Sequence, residues 1–308
     1  MKARSLIYLG DISIDTLTFT LPKKLTGNST QSYGWRHQIK GWSGRGIRLI
    51  IPDTIGYHGS SQPTSLEDYS TQRQSDDLEE LVHRAGVPKG EKIVVIAHDC
   101  RRKVRFLSIC KSDLDRTDTR PSLCVPFIPR SPEYVPLEKL IELYPNFQYQ
   151  AFLASHESTA IMNANVERFI QVMFTSAKQR EEGEVPDLEK TGVIENWLKD
   201  QSQTVTSELL TKESAVFARP MLNYYRVYKT NYEVEKILPL KLRPDLPKLM
   251  VVPRNDPFIP PSFTEAIVEH LENYEISWLD GRCGHWAQLE KPQDIERIVG
   301  EWIIEKIA

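Results

Sequence analysis

The run Ile93-Val94-Val95-Ile96-Ala97, followed at once by His98-Asp99-Cys100, constrains this chain more than any other stretch. Five successive apolar residues, too few for a buried helix, read as a strand of a parallel sheet. Asp99 then stands where a strand-to-helix turn thrusts a carboxylate out of the end of that sheet, in the position of a nucleophile. Upstream, a helix beginning near Ser70 and ending at Gly86, with Leu78, Leu81 and Val82 on one face, leads into this strand. Ile47-Arg48-Leu49-Ile50-Ile51 before Pro52-Asp53 reads as another strand ending in a turn. Short apolar runs alternating with helical patterns argue for parallel βαβ units and an α/β fold.

The same alternation returns at the other end. Leu249-Met250-Val251-Val252 and Ile276-Ser277-Trp278-Leu279 are strands, and Ser262-Phe263-Thr264-Glu265 has the pattern of a capping box opening a helix with Phe263, Ile267, Val268 and Leu271 inward. From Pro292, the residues Ile295, Ile298, Val299, Trp302, Ile303 and Ile307 keep the spacing of a helix burying one face. Asp256 and His285 each fall just after a strand end, where open α/β sheets gather ligands. Residues 131–240 differ: they hold helical stretches at Leu137–Leu143, Val166–Phe174 and Ile194–Leu198, a polar loop from Ser176 to Gly192, and prolines at both borders. This pattern predicts core segments at 1–130 and 241–308, with a helical cap inserted between them.

With 308 residues, 40% apolar and 26% charged, the chain suits a soluble globular protein with one large core. A net charge of −3 gives no reason to expect nucleic acid as a partner. No apolar stretch is long enough for membrane insertion, and the apolar run near Met1 is too short for a signal peptide. Cys100, Cys110, Cys124 and Cys283 show no zinc-like spacing, so reduced thiols and a cytoplasmic location are expected.

Several segments together resemble the epoxide hydrolases of the α/β-hydrolase superfamily, most of all the fungal soluble type. They are Tyr33-Gly34-Trp35-Arg36-His37-Gln38, Pro52-Asp53-Thr54-Ile55-Gly56-Tyr57-His58-Gly59-Ser60-Ser61, His98-Asp99, Phe147-Gln148-Tyr149-Gln150, Asn223-Tyr224-Tyr225-Arg226 and Gly284-His285-Trp286. The order nucleophile, acid, histidine is that of α/β-hydrolase triads. The resemblance implies that Asp99 attacks an epoxide carbon to form an alkyl ester. Tyr149 and Tyr225 would hydrogen-bond the epoxide oxygen, and His285, oriented by Asp256, would activate the water that releases a vicinal diol. Cys100, Gly27, Asn28 and Trp35 fall at oxyanion or substrate-binding positions. The substrate would be a small-molecule epoxide with water as co-substrate, no metal or organic cofactor is called for, and detoxification or secondary metabolism is the setting. Oligomeric state stays open, a homodimer included.

The chain departs from that pattern at three places. Arg101 and Arg102 replace glycines after the nucleophile, and a buried guanidinium needs a partner or a path to solvent. Thr26-Gly27-Asn28-Ser29 stands for an H-G-x-P loop, preceded by Leu21-Pro22-Lys23-Lys24 as the strand. Cys100 to Ser122 is polar, leaving Leu123-Cys124-Val125 as the next strand. Other readings remain open from the residues alone. Asp99 could be a turn aspartate, His285 a surface histidine, Asp280 the acid in place of Asp256, the tyrosines packing residues, and Tyr224 the lid donor in place of Tyr225. His98 reads as a structural hydrogen-bonding residue. A dehalogenase using the same Asp-ester chemistry, or a binding protein that keeps the fold without activity, are the alternative functions.

Overall fold

The computed structural model describes residues 6–10, 33–52, 55–56, 60–88, 93–99, 117–186, 190–210, 222–240 and 243–307. Among the described residues, six strands form one sheet: β1 (Leu6–Gly10), β2 (Arg48–Ile50), β3 (Ile93–His98), β4 (Thr117–Leu123), β5 (Lys248–Pro253) and β6 (Tyr274–Leu279). Their order is β2-β1-β3-β4-β5-β6, and every pairing is parallel. The chain steps outward from β1 to β2 and returns to the other side of β1 at β3. The order therefore reverses between β1 and β3, and the crevice at the carboxyl ends of those strands is where such sheets bind ligands.

All six residues of β3 are buried, as the apolar run implies for a strand covered on both faces. The two-residue period divides them. Val94 and Ile96 join the main core with Ile295, Val299 and Ile303 of the helix Pro292–Ile307. Ile93 and Val95 face the other way, against Leu81 and Val82 of the helix Thr71–Arg84. β5 divides in the same manner, with Leu249 and Val251 in the main core and Met250 and Val252 on Phe127, Leu238 and Leu271. Lys248, at the head of β5, is buried, and its ammonium donates to the carbonyls of Arg243, Leu246 and Glu272 at 2.7, 2.9 and 2.9 Å. Those bonds satisfy a charge that would otherwise be costly to desolvate.

The helix Thr71–Arg84 starts where Ser70 Oγ accepts from the Arg73 N–H and stops before Gly86, whose φ is +74°. The helix Pro292–Ile307 lies against the helix Arg36–Gly44. A Cβ on Gly300 would come within 3.0 Å of the Trp42 indole, whose N–H donates to the Glu296 carbonyl at 2.9 Å. Between β4 and β5 run the helices Leu137–Leu143, Gln148–Ala154, Ser158–Ala164, Val166–Met173, Ala177–Glu181, Val193–Lys199, Asn223–Arg226 and Tyr228–Glu235. Their buried residues Tyr149, Leu153, Met162, Val172, Trp197 and Leu198 belong to the same apolar cluster as the sheet residues. No helix among the described residues is long and apolar enough to cross a membrane.

Between β2 and β3 in the sheet lies Leu6–Gly10, and the strand expected at Leu21–Lys24 lies outside the described residues. Three expectations need correction. β4 begins at Thr117, well before Leu123, because parallel pairing uses the backbone and tolerates polar residues; its register to β3 shifts between Ile93 and Val94. Ser262 forms no capping box: the helix runs Pro261–Val268 with Pro260 as cap and no side-chain bond. Pro261, its φ preset and lacking an N–H, starts the helix one residue early. The polar stretch after Ser176 is not all loop, since Ser176 and Gln179 make a true capping box on the helix Ala177–Glu181.

Candidate active site

Asp99, Asp256 and His285 come from separate loops and meet beyond the carboxyl ends of β3, β5 and β6. Asp99 is the first residue past β3 and sits at φ +53°, the left-handed conformation that a sharp strand-to-helix turn imposes and a non-glycine residue rarely adopts. Its side chain is buried, with Oδ2 at 3.3 Å from His285 Nε2. On the opposite edge of the imidazole, Nδ1–H donates to Asp256 Oδ2 at 2.8 Å. Asp256 is fixed in turn, because its Oδ1 accepts from the backbone N–H groups of Phe258 at 2.8 Å and Ile259 at 3.2 Å. Asp280, the alternative acid, is a surface residue paired with Arg254 at 2.8 Å.

Burial opposes charging the His285 ring, but the attraction of Asp256 and Asp99, with hydrogen bonds to both, outweighs it and pushes the pKa up to about 10. The two carboxylates thus favour the protonated ring, and loss of one of those charges would make the ring a better base.

The loop carrying His285 is gripped from three sides. His98 Nε2–H donates to the His285 carbonyl at 2.7 Å, and the Cys124 thiol donates to the same oxygen at 2.9 Å. Cys124 reaches it from φ +66°, just past β4. Glu290 accepts from the backbone N–H groups of Ala177, Gly284 and Trp286 at 2.8, 3.0 and 3.2 Å. Burial raises the Glu290 pKa, and those three donors oppose the rise. Space is tight at Gly284, where a Cβ would sit 3.2 Å from Glu290 Oε1 and 3.5 Å from Ala177, so a larger residue would push on the Glu290 carboxylate. Trp286 stacks on Phe174 at 3.9 Å and donates to the Met173 carbonyl at 2.8 Å. Sequence reasoning named His98 as structural but passed over Cys124 and Glu290. The one available signal was an acid just before Lys291-Pro292, where a helix begins.

Tyr149 is buried, with its ring at 6.3 Å from Tyr225 and 5.0 Å from Phe258. Phe258 also packs edge-on against His285 at 4.8 Å, so an aromatic bridge joins this tyrosine to the triad. Tyr224 points elsewhere, donating to the Ile55 carbonyl at 2.8 Å and packing on Tyr69. Arg180 stacks over Phe258 at 5.4 Å; burial lowers its pKa to about 10 against the pull of Asp256 and Glu290. Trp35 is fully buried beside Trp42, its ring 6.1 Å away. Cys100, Gly27, Asn28, His58, Arg101 and Arg102 lie outside the described residues.

Among the described residues, His98, Cys124 and His285 are close enough together to be weighed as metal ligands. His98 Nε2 and Cys124 Sγ bond the His285 carbonyl, and both His285 nitrogens face carboxylates. Cys124 and Cys283 are free thiols, and burial holds both well above the usual thiol range.

No family model matches the chain. Curated proteins that align with 88% of it include the following. Epoxide hydrolase srdG of Neurospora crassa is 25% identical and 83% covered, and Epoxide hydrolase A of Mycobacterium tuberculosis is 26% identical and 86% covered. Bifunctional epoxide hydrolase 2 of Sus scrofa is 28% identical, but the chain spans only 49% of its length. Among solved structures, Epoxide Hydrolase A from Mycobacterium thermoresistibile superposes with a TM-score of 0.72 at 24% identity, covering 98% of this chain and 92% of that one. Epoxide hydrolase VrEH1 from Vigna radiata gives 0.71 at 20% identity, covering 98% and 91%. The chain is therefore a relative of epoxide hydrolases and has the α/β-hydrolase fold.

Proposed function

We propose that the protein is an epoxide hydrolase that opens a small-molecule epoxide to a vicinal diol through an ester on Asp99. The observation that carries this reading is the line Asp99–His285–Asp256, with contacts of 3.3 and 2.8 Å in a buried setting. Residues 131–240 act as a cap, and Tyr149 and Tyr225 supply the hydrogen bonds that stabilise the epoxide oxygen as its C–O bond breaks. Asp99 forms the new C–O bond, which leaves a neutral alkyl ester and a hydroxyl that has received a proton from the tyrosines.

The electrostatics suit the second step. Once Asp99 is esterified, one of the two charges holding the His285 proton is gone, and the pKa of the ring falls. It can then pass that proton to the depleted tyrosine through solvent and, as a neutral base, take one from water. The hydroxide attacks the ester carbonyl, the diol leaves, and Asp99 is restored with one oxygen drawn from water. Asp256 keeps Nδ1 protonated throughout, so Nε2 is the nitrogen that works. Water is the only co-substrate this scheme consumes. A cytoplasmic location and a role in detoxification or secondary metabolism complete the proposal.

The test is diol formation from styrene oxide by wild type, Asp99→Ala and His285→Gln, with haloalkanes run in parallel. Diol from wild type alone supports the reading. Halide release without diol points to the dehalogenase, and inertness toward every substrate points to a binding protein.

A further inference from the structure

A partly buried chain of polar contacts ends on Tyr149. The Tyr228 hydroxyl, on the helix Tyr228–Glu235, donates to Gln150 Oε1, and Gln150 Nε2 donates to the Tyr149 hydroxyl oxygen at 3.2 Å. Tyr149 and Gln150 are neighbours on the helix Gln148–Ala154, and both are buried. Successive residues of a helix diverge in direction, so their side-chain ends do not meet by default. Here the far anchor supplied by Tyr228 turns the amide back toward its neighbour.

This arrangement bears on the chemistry assigned to Tyr149. A phenol oxygen that accepts a hydrogen bond carries negative charge more readily, which makes its own proton a stronger donation to substrate. The Tyr228 hydroxyl on the amide oxygen polarises Gln150 in the same sense. It also fixes which end of the amide faces Tyr149, because the oxygen is already engaged. The two phenols and the amide thus give the Tyr149 proton a direction as well as added acidity.

We propose that Gln150, held by Tyr228, is a positioning residue that aims the Tyr149 hydroxyl and strengthens it as the donor in epoxide opening. This rests on the proposed role of Tyr149 and deepens it. The effect belongs to ester formation and not to ester hydrolysis, which His285 drives.

The test separates the two steps in the full-length protein with styrene oxide, reading alkyl-enzyme formation and decay by rapid quench and intact mass. Gln150→Glu keeps the shape of the side chain but exchanges the amide donor for an acceptor that competes for the Tyr149 proton. It should slow ester formation about 10- to 100-fold and leave hydrolysis within about twofold. Tyr228→Phe, which preserves ring packing, should slow the same step about 3- to 10-fold and keeps the test valid if the glutamate variant fails to fold. In an ultraviolet phenol titration, the transition lost in Tyr149→Phe should move to higher pH in Gln150→Leu.

Ester formation at the wild-type rate in Gln150→Glu or Tyr228→Phe, with Tyr149→Phe still slow, would overturn the inference and leave the hydrolase reading intact. Equal slowing of both steps would mark Gln150 as merely structural and also overturn it. A Tyr149→Phe variant as fast as wild type, or a wild type that forms no ester, would instead sink the reading beneath it.

Discussion

The two halves of the site rest on different supports. The triad hangs from loops at the ends of β3, β5 and β6, and almost every part of it is tied twice: Asp256 by two backbone N–H groups, the His285 carbonyl by His98 and Cys124, the Gly284–Trp286 turn by Glu290. The tyrosines stand on helices between β4 and β5, where Tyr149 packs against the rings of Tyr225 and Phe258 and accepts from the Gln150 amide. The sheet half is built for fixed geometry, which a proton transfer through His285 needs. The helical half shares one apolar cluster with the sheet and meets the triad through Phe258. If each half serves one chemical step, damage to either should be readable in that step alone.

Removing the nucleophile should have the largest effect. Asp99→Ala is expected to lose at least about 10⁴-fold in kcat/KM for diol formation, measured by chromatography, because both steps pass through its carboxylate. Retention of a tenth of the activity would break the scheme. Next comes His285→Gln, expected to form the ester but hydrolyse it about 10³-fold more slowly, so that intact mass shows a lasting adduct. Hydrolysis that keeps pace would show that the sheet half does not drive this step. Tyr149→Phe and Tyr225→Phe should each slow ester formation about 10- to 100-fold while leaving decay of a preformed ester untouched. Equal loss in both steps would erase the distinction between the halves.

Smaller effects sharpen the same contrast. Glu290→Ala strips three backbone donors of their acceptor and should cost about 1–3 kcal/mol in urea denaturation, together with slower ester hydrolysis. A variant with unaltered hydrolysis would separate Glu290 from the triad. The last prediction concerns pH. His285 has a folded-state pKa near 10 against 6.5 unfolded, so its ion pairs stabilise the fold fully below pH 6.5, and that stability is lost as pH rises toward 10. Urea midpoints should fall over this window in wild type and stay flatter in His285→Gln; parallel profiles would contradict the pairing.

The most legible parts of the fold were those governed by local pattern. The helices at Leu137–Leu143 and Val166–Met173 and the long one at the end follow from periodicity, and β3 and β5 from unbroken apolar runs. β1 was missed because four apolar residues near Met1 say nothing about their partners, which are 42 and 87 positions away from Leu6, at Arg48 and Ile93. β4 was cut short because hydropathy does not register backbone pairing. In the site, Asp99, Asp256 and His285 were readable as residues just past strand ends, and the choice of Asp256 over Asp280 needed geometry. Cys124, Glu290, Gln150 and Tyr228 escaped because their roles lie in what they touch across the fold, which sequence spacing does not encode.

The ester on Asp99 is tested most directly by a single turnover in ¹⁸O-water with enzyme in excess over styrene oxide. Attack by Asp99 delivers its own oxygen to the product, so the account predicts unlabelled diol in the first turnover and ¹⁸O in the peptide containing Asp99. Diol labelled in that first turnover, with the Asp99 peptide unlabelled, would mean that water attacks the epoxide directly and would contradict the account.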